Sequence, residues 1–249
     1  MEQWKNRVAI VTGASSGIGA AIAKDLAKAG MITIGLARRV EKVEALKKDL
    51  PPNLHGNLHA VKCDVSKEEE IVRVFSDIDA KFNGIDVLIN NAGIIRYTKL
   101  IKADNSIPIR EVVDTNILGP VFCTREAYKS MEKHGRNSHV VHINSIVGHH
   151  ISFDPQFEVN MYPPSKFAVT AITEVHRQEF IRSKHHIKVT SVSPGAVRTE
   201  ILPDDVLKRF PDMPLLEPAD VSQSIIHILS TPPHVQIHEL TIKPFGEQF

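Results

Sequence analysis

Cysteine is scarce in this chain: Cys63 and Cys123 are the only two in 249 residues. They lack the number and spacing of a disulfide framework or a metal site, so both read as core thiols in a reduced compartment. An excess of one charge is missing too. Thirty Lys and Arg face 29 Asp and Glu, a formal net charge of +1, which provides no electrostatic footprint for nucleic acid or for an anionic membrane surface. A small molecule is the expected partner. No apolar run approaches the ~20 residues needed to span a bilayer. The opening Met1-Glu2-Gln3-Trp4-Lys5-Asn6-Arg7 enters an apolar strand by Val8, without room for a secretory signal. The tail Glu247-Gln248-Phe249 matches no retention, peroxisomal or prenylation signal. A cytoplasmic protein without a membrane span is the expectation. Thirteen histidines are many, yet His149-His150 and His185-His186 are adjacent pairs rather than the i,i+4 pairs of a helical metal site, so no metal is expected.

With 42% hydrophobic residues, the chain is long enough to bury a large core and matches the size of one α/β domain, residues 1–249. Short β-branched runs lie at Arg7 to Val11, Met31 to Leu36, Leu58 to Lys62, Val87 to Ile89, His139 to Ile143 and Ile187 to Val192. Between them, apolar residues recur at helical spacing, as in Ile71, Val74, Phe75 and Ile78. This alternation predicts an α/β fold: a single-domain doubly wound parallel sheet of about seven strands with helices on both faces, the Rossmann arrangement. Such sheets bind ligands beyond the carboxyl ends of their strands, where strand order reverses. The chemically informative residues fall at those ends.

Thr12-Gly13-Ala14-Ser15-Ser16-Gly17-Ile18-Gly19 separates the first strand from a helix. Glycines in that setting let the backbone approach a pyrophosphate at the helix N-terminus. After the second strand the chain reads Ala37-Arg38-Arg39, with no carboxylate until Glu41. An acid at this place selects a free ribose 2′-hydroxyl, and an arginine accommodates a 2′-phosphate, so NADP(H) is the expected cofactor. Asp64 and Val65, after the third strand, are read as an adenine acceptor and a ring contact; a plain turn aspartate is the alternative. Ser145 closes the fifth strand, and Tyr162 and Lys166 stand at i and i+4 on one helix face. A phenol near pKa ~10 becomes a better proton carrier at neutral pH beside a cation, and a serine hydroxyl opposite it can polarise a substrate oxygen. Together these features read as a nicotinamide-dependent oxidoreductase.

Taken in order, the Thr-Gly-x-x-x-Gly-x-Gly turn, Asn90-Asn91-Ala92-Gly93, Ser145, Tyr162-x-x-x-Lys166 and Pro194-Gly195 make a chain that resembles the short-chain dehydrogenase/reductase family over nearly its whole length. Within it the chain is similar to the NADP-dependent farnesol dehydrogenases of insects and to dehydrogenase/reductase family member 11. The resemblance implies Tyr162 as acid and base, Ser145 as holder of the substrate oxygen, and Lys166 as a nicotinamide-ribose ligand that lowers the tyrosine pKa. It also implies Asn116 as support for a water that links Lys166 to solvent. Asn91, Ala92, Gly93, Pro194, Gly195, Val197 and Thr199 complete the implied cofactor side, and helices around Ile107 to Lys133 and Met161 to Arg182 would pair in a homodimer or homotetramer. Two departures stand out. Pro163 and Pro164 interrupt the Tyr-Lys spacing, so the helix is expected to begin at about Pro163. Ser145 and Tyr162 also lie 17 residues apart, more than is usual in the family, so a longer loop from His149 to Met161 is expected to border the substrate.

Apolar residues near the expected cleft include Ile94, Ile95, Ile151, Phe153 and Phe157, followed by Ile201, Leu202, Val206, Leu207, Phe210 and Met213 to Leu216 in a lid at about 196–217. Ile95 and Ile201, with Ser145 and Tyr162, are the candidate substrate contacts. Walls of this kind favour a hydrophobic alcohol or carbonyl compound, and the resemblance points to farnesol or a related isoprenoid alcohol. The alternatives are an NADPH-dependent carbonyl reductase or hydroxysteroid dehydrogenase and, from another class, a non-catalytic NADP(H)-binding redox sensor.

Overall fold

A computed structural model describes residues 1–151, 158–202, 207–208 and 211–247. Seven strands among these residues form one sheet: β1 Val8–Thr12, β2 Ile32–Ala37, β3 Leu58–Lys62, β4 Val87–Asn90, β5 Ser138–Ile143, β6 Ile187–Pro194 and β7 Glu239–Ile242. Their order is β3-β2-β1-β4-β5-β6-β7, and every pairing is parallel. Strands buried on both faces read as continuous apolar runs, and all five residues of β1 are buried. The expected doubly wound α/β sheet is the one observed.

Helices α1 Gly17–Lys28, α2 Val40–Ala45, α3 Glu68–Phe82, α4 Ser106–Val113, α5 Gly119–His134, α6 Tyr162–Ser183 and α7 Pro218–Ser230 surround it. On one face Ile22 and Leu26 of α1 pack with Ile225 and Leu229 of α7 and the inward residues Val11 and Ile89. On the other, Ile71 and Phe75 of α3 meet Ala127 and Met131 of α5 over Ile10 and Leu88. Trp4 closes the first layer, its indole donating to the Leu229 carbonyl at 2.7 Å.

Two local departures from regular helix position site residues. The single helix expected from Ile107 to Lys133 is broken by a π-helical segment, Asp114–Leu118. Pro120 has no N–H for the Asn116 carbonyl, a bond that a regular α-helix would make, so the wider turn costs less here. Helix α6 begins at Tyr162, with Pro163 and Pro164 in its first turn. Their missing N–H groups fall where a helix has no internal partners, so the proline pair is accommodated.

Candidate active site

Strand order reverses between β1, which leads to β2, and β4, and a cleft of about 1390 Å³ opens beyond the strand ends at that place. Of the sequence-predicted site residues, all but Gly19 and Asn116 line it. At one end lie Arg38 and Arg39 after β2, and Asp64 and Val65 after β3; at the other lie Ser145, Tyr162 and Lys166, with Ile95 and Ile201.

The glycine turn is shaped by close approach. Gly13 has φ +67° and Gly17 φ +53°, values that favour glycine. A Cβ at Gly17 would stand 2.9 Å from Thr199 Cγ2, and one at Gly19 would collide with Asn91 Nδ2 and the Gly13 carbonyl. Gly19 is therefore a packing glycine beneath the cleft. Ser15, Ser16, Gly17 and Ile18 carry the turn along the wall to the N-terminus of α1. Asn91 pins this turn to β4: its amide nitrogen donates to the Thr12 carbonyl at 2.9 Å, while its own N–H and that of Ala92 donate to Thr12 Oγ1 at 3.0 Å. Asp64 also serves as a turn residue, its Oδ1 accepting from Ser66 N at 3.0 Å and Ser66 Oγ at 2.8 Å.

Ser145 caps a short turn, Ile146–Gly148, and its Oγ accepts from Val147 N at 3.3 Å. Gly148 lets that turn lie on α6, since a Cβ would come 2.8 Å from the Lys166 carbonyl. The Ser145 hydroxyl lies near enough to the Tyr162 phenol to pull its pKa down. Asn116 is the joint beneath them. Its Oδ1 accepts from Ile94 N at 2.9 Å, and its amide donates to the Ile94 carbonyl at 3.0 Å and to Ser165 Oγ at 3.1 Å. Ser165 in turn donates to the Tyr162 carbonyl at 2.6 Å, so the π-helical segment, the loop after β4 and the start of α6 are held together by one side chain. Gly93 lies against Asn116, leaving 3.6 Å between a Cβ there and Oδ1.

The electrostatics differ from the simple expectation. Burial pushes the Tyr162 phenol up to about 12, against the pull of Ser145, and Tyr97 nearby raises it further. Burial also brings Lys166 down to about 8. The ammonium donates to the Ile143 carbonyl at 2.8 Å and sits 5.6 Å from the tyrosine ring centre. Burial is thus the largest influence on the phenol here.

His149 and His150 open the loop expected to border the substrate, whereas Tyr97, Lys243 and Glu247 were not read from the sequence. Tyr97, His149, His150, Lys243 and Glu247 line the cleft, making that end more polar than its apolar segments suggested. The Tyr97 hydroxyl donates to the Ile201 carbonyl at 3.1 Å. His149 Nε2 lies 2.6 Å from Glu239 Oε1 on β7. The described part of the expected lid is anchored by Leu216 N to the Ala196 carbonyl at 2.8 Å and Arg198 N to the Leu216 carbonyl at 2.9 Å. Phe153, Phe157, Val206 and Phe210 lie outside the described residues. No group of three His, Cys, Asp or Glu side chains poised for a metal occurs among the described residues.

The sequence profile described as short chain dehydrogenase matches residues 7–208. The chain belongs to the short-chain dehydrogenase family. It is 57% identical over 249 residues to a farnesol dehydrogenase of Aedes aegypti, covering 100% of both chains. It is also 42% identical to dehydrogenase/reductase SDR family member 11 of Gallus gallus, over 98% of each chain. Among solved structures, the closed form of a serine dehydrogenase complexed with NADP+ matches with TM-score 0.85 and 26% identity, over 97% of this chain and 96% of that one. ElxO with NADP bound matches with TM-score 0.80 and 27% identity, over 96% and 97%. As a member of the short-chain dehydrogenase family the chain is an oxidoreductase, and among its described residues no helix is long and apolar enough to cross a membrane.

Proposed function

We propose that this short-chain dehydrogenase transfers a hydride between NADP(H) and a hydrophobic alcohol or its carbonyl, with farnesol or a related isoprenoid alcohol as substrate. The observation that carries the reading is the single cleft that joins a basic, glycine-walled end to Ser145, Tyr162 and Lys166. The residues fit such a cofactor: the turn lines the cleft at the N-terminus of α1, where a pyrophosphate is favoured, and Arg39 already gathers an anion, the Glu200 carboxylate, at 2.9 Å. Arg38 and Arg39 would hold the 2′-phosphate, Asp64 and Val65 the adenine, and Asn91, Ala92, Gly93, Pro194, Gly195, Val197 and Thr199 the remainder. The bound nicotinamide supplies or accepts the hydride.

The protein's own part is alignment and proton transfer. Ser145 and the Tyr162 hydroxyl grip the substrate oxygen from two sides, Tyr162 gives or takes the proton there, and Lys166 holds the ribose side. Asn116 fixes the start of α6, and Ile95 and Ile201 exclude water from the reacting carbon. The farnesol dehydrogenase named above supports the choice of substrate.

One observation favours a second reading. A phenol held near 12 is protonated at neutral pH, which suits donation to a forming alcohol, so reduction of a ketone or aldehyde by NADPH is the alternative direction. Initial rates with NADP and NAD across farnesol, geraniol, a straight-chain alcohol and a hydroxysteroid, with a ketone and NADPH in parallel, separate the two. Preference for farnesol with NADP supports the first; consumption of NADPH with a ketone alone supports the second.

Two further assignments belong to the same proposal. The unpaired, buried Cys63 and Cys123 fit the reducing cytoplasm. The exposed Leu118, Phe167, Val175 and Ile181 fit pairing of these helices in a homodimer or homotetramer, which light scattering would test.

A further inference from the structure

The cofactor end of the cleft carries an ion cluster built from distant parts of the chain. Glu200, between Thr199 and Ile201 at the base of the lid, reaches back to the start of α2. Its Oε2 accepts from Arg39 Nη2 at 2.9 Å, and its Oε1 from Lys42 Nζ at 3.2 Å. The same Arg39 nitrogen donates to Ser15 Oγ at 3.3 Å and Ser16 Oγ at 3.2 Å. One carboxylate, two cations and two hydroxyls of the glycine turn thus converge just beyond the end of β2, where the adenosine ribose is met in this fold. The approach is enforced from below, because Thr199 is packed on Gly17.

The carboxylate is not locked in. Side-chain exposures of 46% for Arg39 and for Lys42 and 56% for Glu200 leave all three groups within reach of solvent. Exposed pairs of this kind contribute little on their own and exchange readily for a stronger anion. A phosphate carries more charge and more acceptor oxygens than a carboxylate.

We propose that Glu200 is a built-in competitor for the cofactor's 2′-phosphate, occupying Arg39 and Lys42 until a 2′-phosphorylated ligand displaces it, and that Lys42 is a further 2′-phosphate residue. This rests on the NADP reading. A ligand with a free 2′-hydroxyl leaves Glu200 in place and meets no competition from it, so Glu200 trims the preference for the phosphorylated cofactor. Glu200 also adjoins Thr199 and Ile201, so one short segment links the phosphate end to the nicotinamide and substrate end.

Isothermal titration of adenosine 2′,5′-bisphosphate and of AMP into wild type, E200Q and K42A tests this without turnover. The readout is the ratio of the two affinities, because removing a negative charge near the cleft strengthens every anion by long-range attraction. In E200Q the ratio should rise about two- to fivefold in favour of the bisphosphate, the range expected for an exposed ion pair. In K42A it should fall. An unchanged ratio in E200Q overturns the competition and an unchanged ratio in K42A removes Lys42 from the site, both leaving the NADP reading standing. A wild type that binds both ligands equally overturns the proposal and that reading together.

Discussion

Acidification from pH 7 to 5 should remove much of the stability of this fold, because three histidines are buried without charge. Burial brings His139 on β5 down to about 3, with its Nε2 2.8 Å from Thr190 Oγ1. His142 lies well below its ordinary value through burial first, then through the neighbouring His176 and Lys166. His176, stacked on Phe180, is brought down to about 4 by burial. Each takes up a proton near 6.5 in the unfolded chain but only at much lower pH in the native one. Their contribution is therefore complete above 6.5 and is lost as pH falls from there towards the folded values. One such group changes stability by about 1.4 kcal/mol per pH unit, and three by about 4. By pH 5 the loss approaches about 6 kcal/mol, a large part of the ~5–15 kcal/mol that holds a typical domain together. Lys166, lowered to about 8 by burial, finishes its own change above that window. Glu247, raised by burial, acts in the opposite direction and only near the carboxylate range. Urea unfolding followed by fluorescence of the single, buried Trp4 at pH 7, 6 and 5 should show a steeply falling midpoint, and H139Q should flatten the slope by about a third. A midpoint that does not move, or an H139Q slope equal to that of wild type, would refute the reasoning.

Other consequences of the same geometry can be measured. Gly19→Ala places a methyl against Asn91 and the immovable Gly13 carbonyl; it should cost about 1–3 kcal/mol and lower the calorimetric melting temperature, and an unchanged temperature would show that the turn yields. Arg38→Asp should weaken NADP more than NAD and reduce the salt dependence of NADP binding; equal losses would show that Arg38 does not meet the phosphate. With Tyr162 near 12, alcohol oxidation should rise about tenfold per pH unit between pH 6 and 8 while carbonyl reduction stays level. Paired pH profiles check this, and level oxidation would mean that Tyr162 is not the base.

Six strands were legible because each is a short run of β-branched residues closed by turn residues, with ends shifted by no more than two positions, as in Ile187–Pro194 against an expected end at Val192. Strand β7 was not located. Glu239-Leu240-Thr241-Ile242 is a four-residue edge strand of alternating exposure, too short for its pattern to stand out. The π-helical segment was hidden for a different reason: helical periodicity continues on both sides of Asp114–Leu118, and the bonds of the Asn116 side chain to Ile94 and Ser165 that accompany the wider turn come from distant parts of the chain. The glycine turn and the Tyr162-Lys166 spacing are local patterns and were readable. Tyr97, Lys243 and Glu247 reach the cleft only through tertiary packing, the latter two because β7 pairs with β6. Nor does a sequence reveal how deeply a phenol is buried, and burial is what pushes Tyr162 up.

The central claim is that Ser145, Tyr162 and Lys166 form a working hydride-transfer site beside bound NADP(H). Initial rates of NADP reduction by farnesol, compared between wild type and Tyr162→Phe with NADPH binding followed by fluorescence, test it most directly. Turnover in the wild type, its loss in the variant and unchanged NADPH affinity in both are predicted. NADPH binding in both proteins without turnover of any alcohol or ketone would contradict the claim and leave a redox sensor in its place.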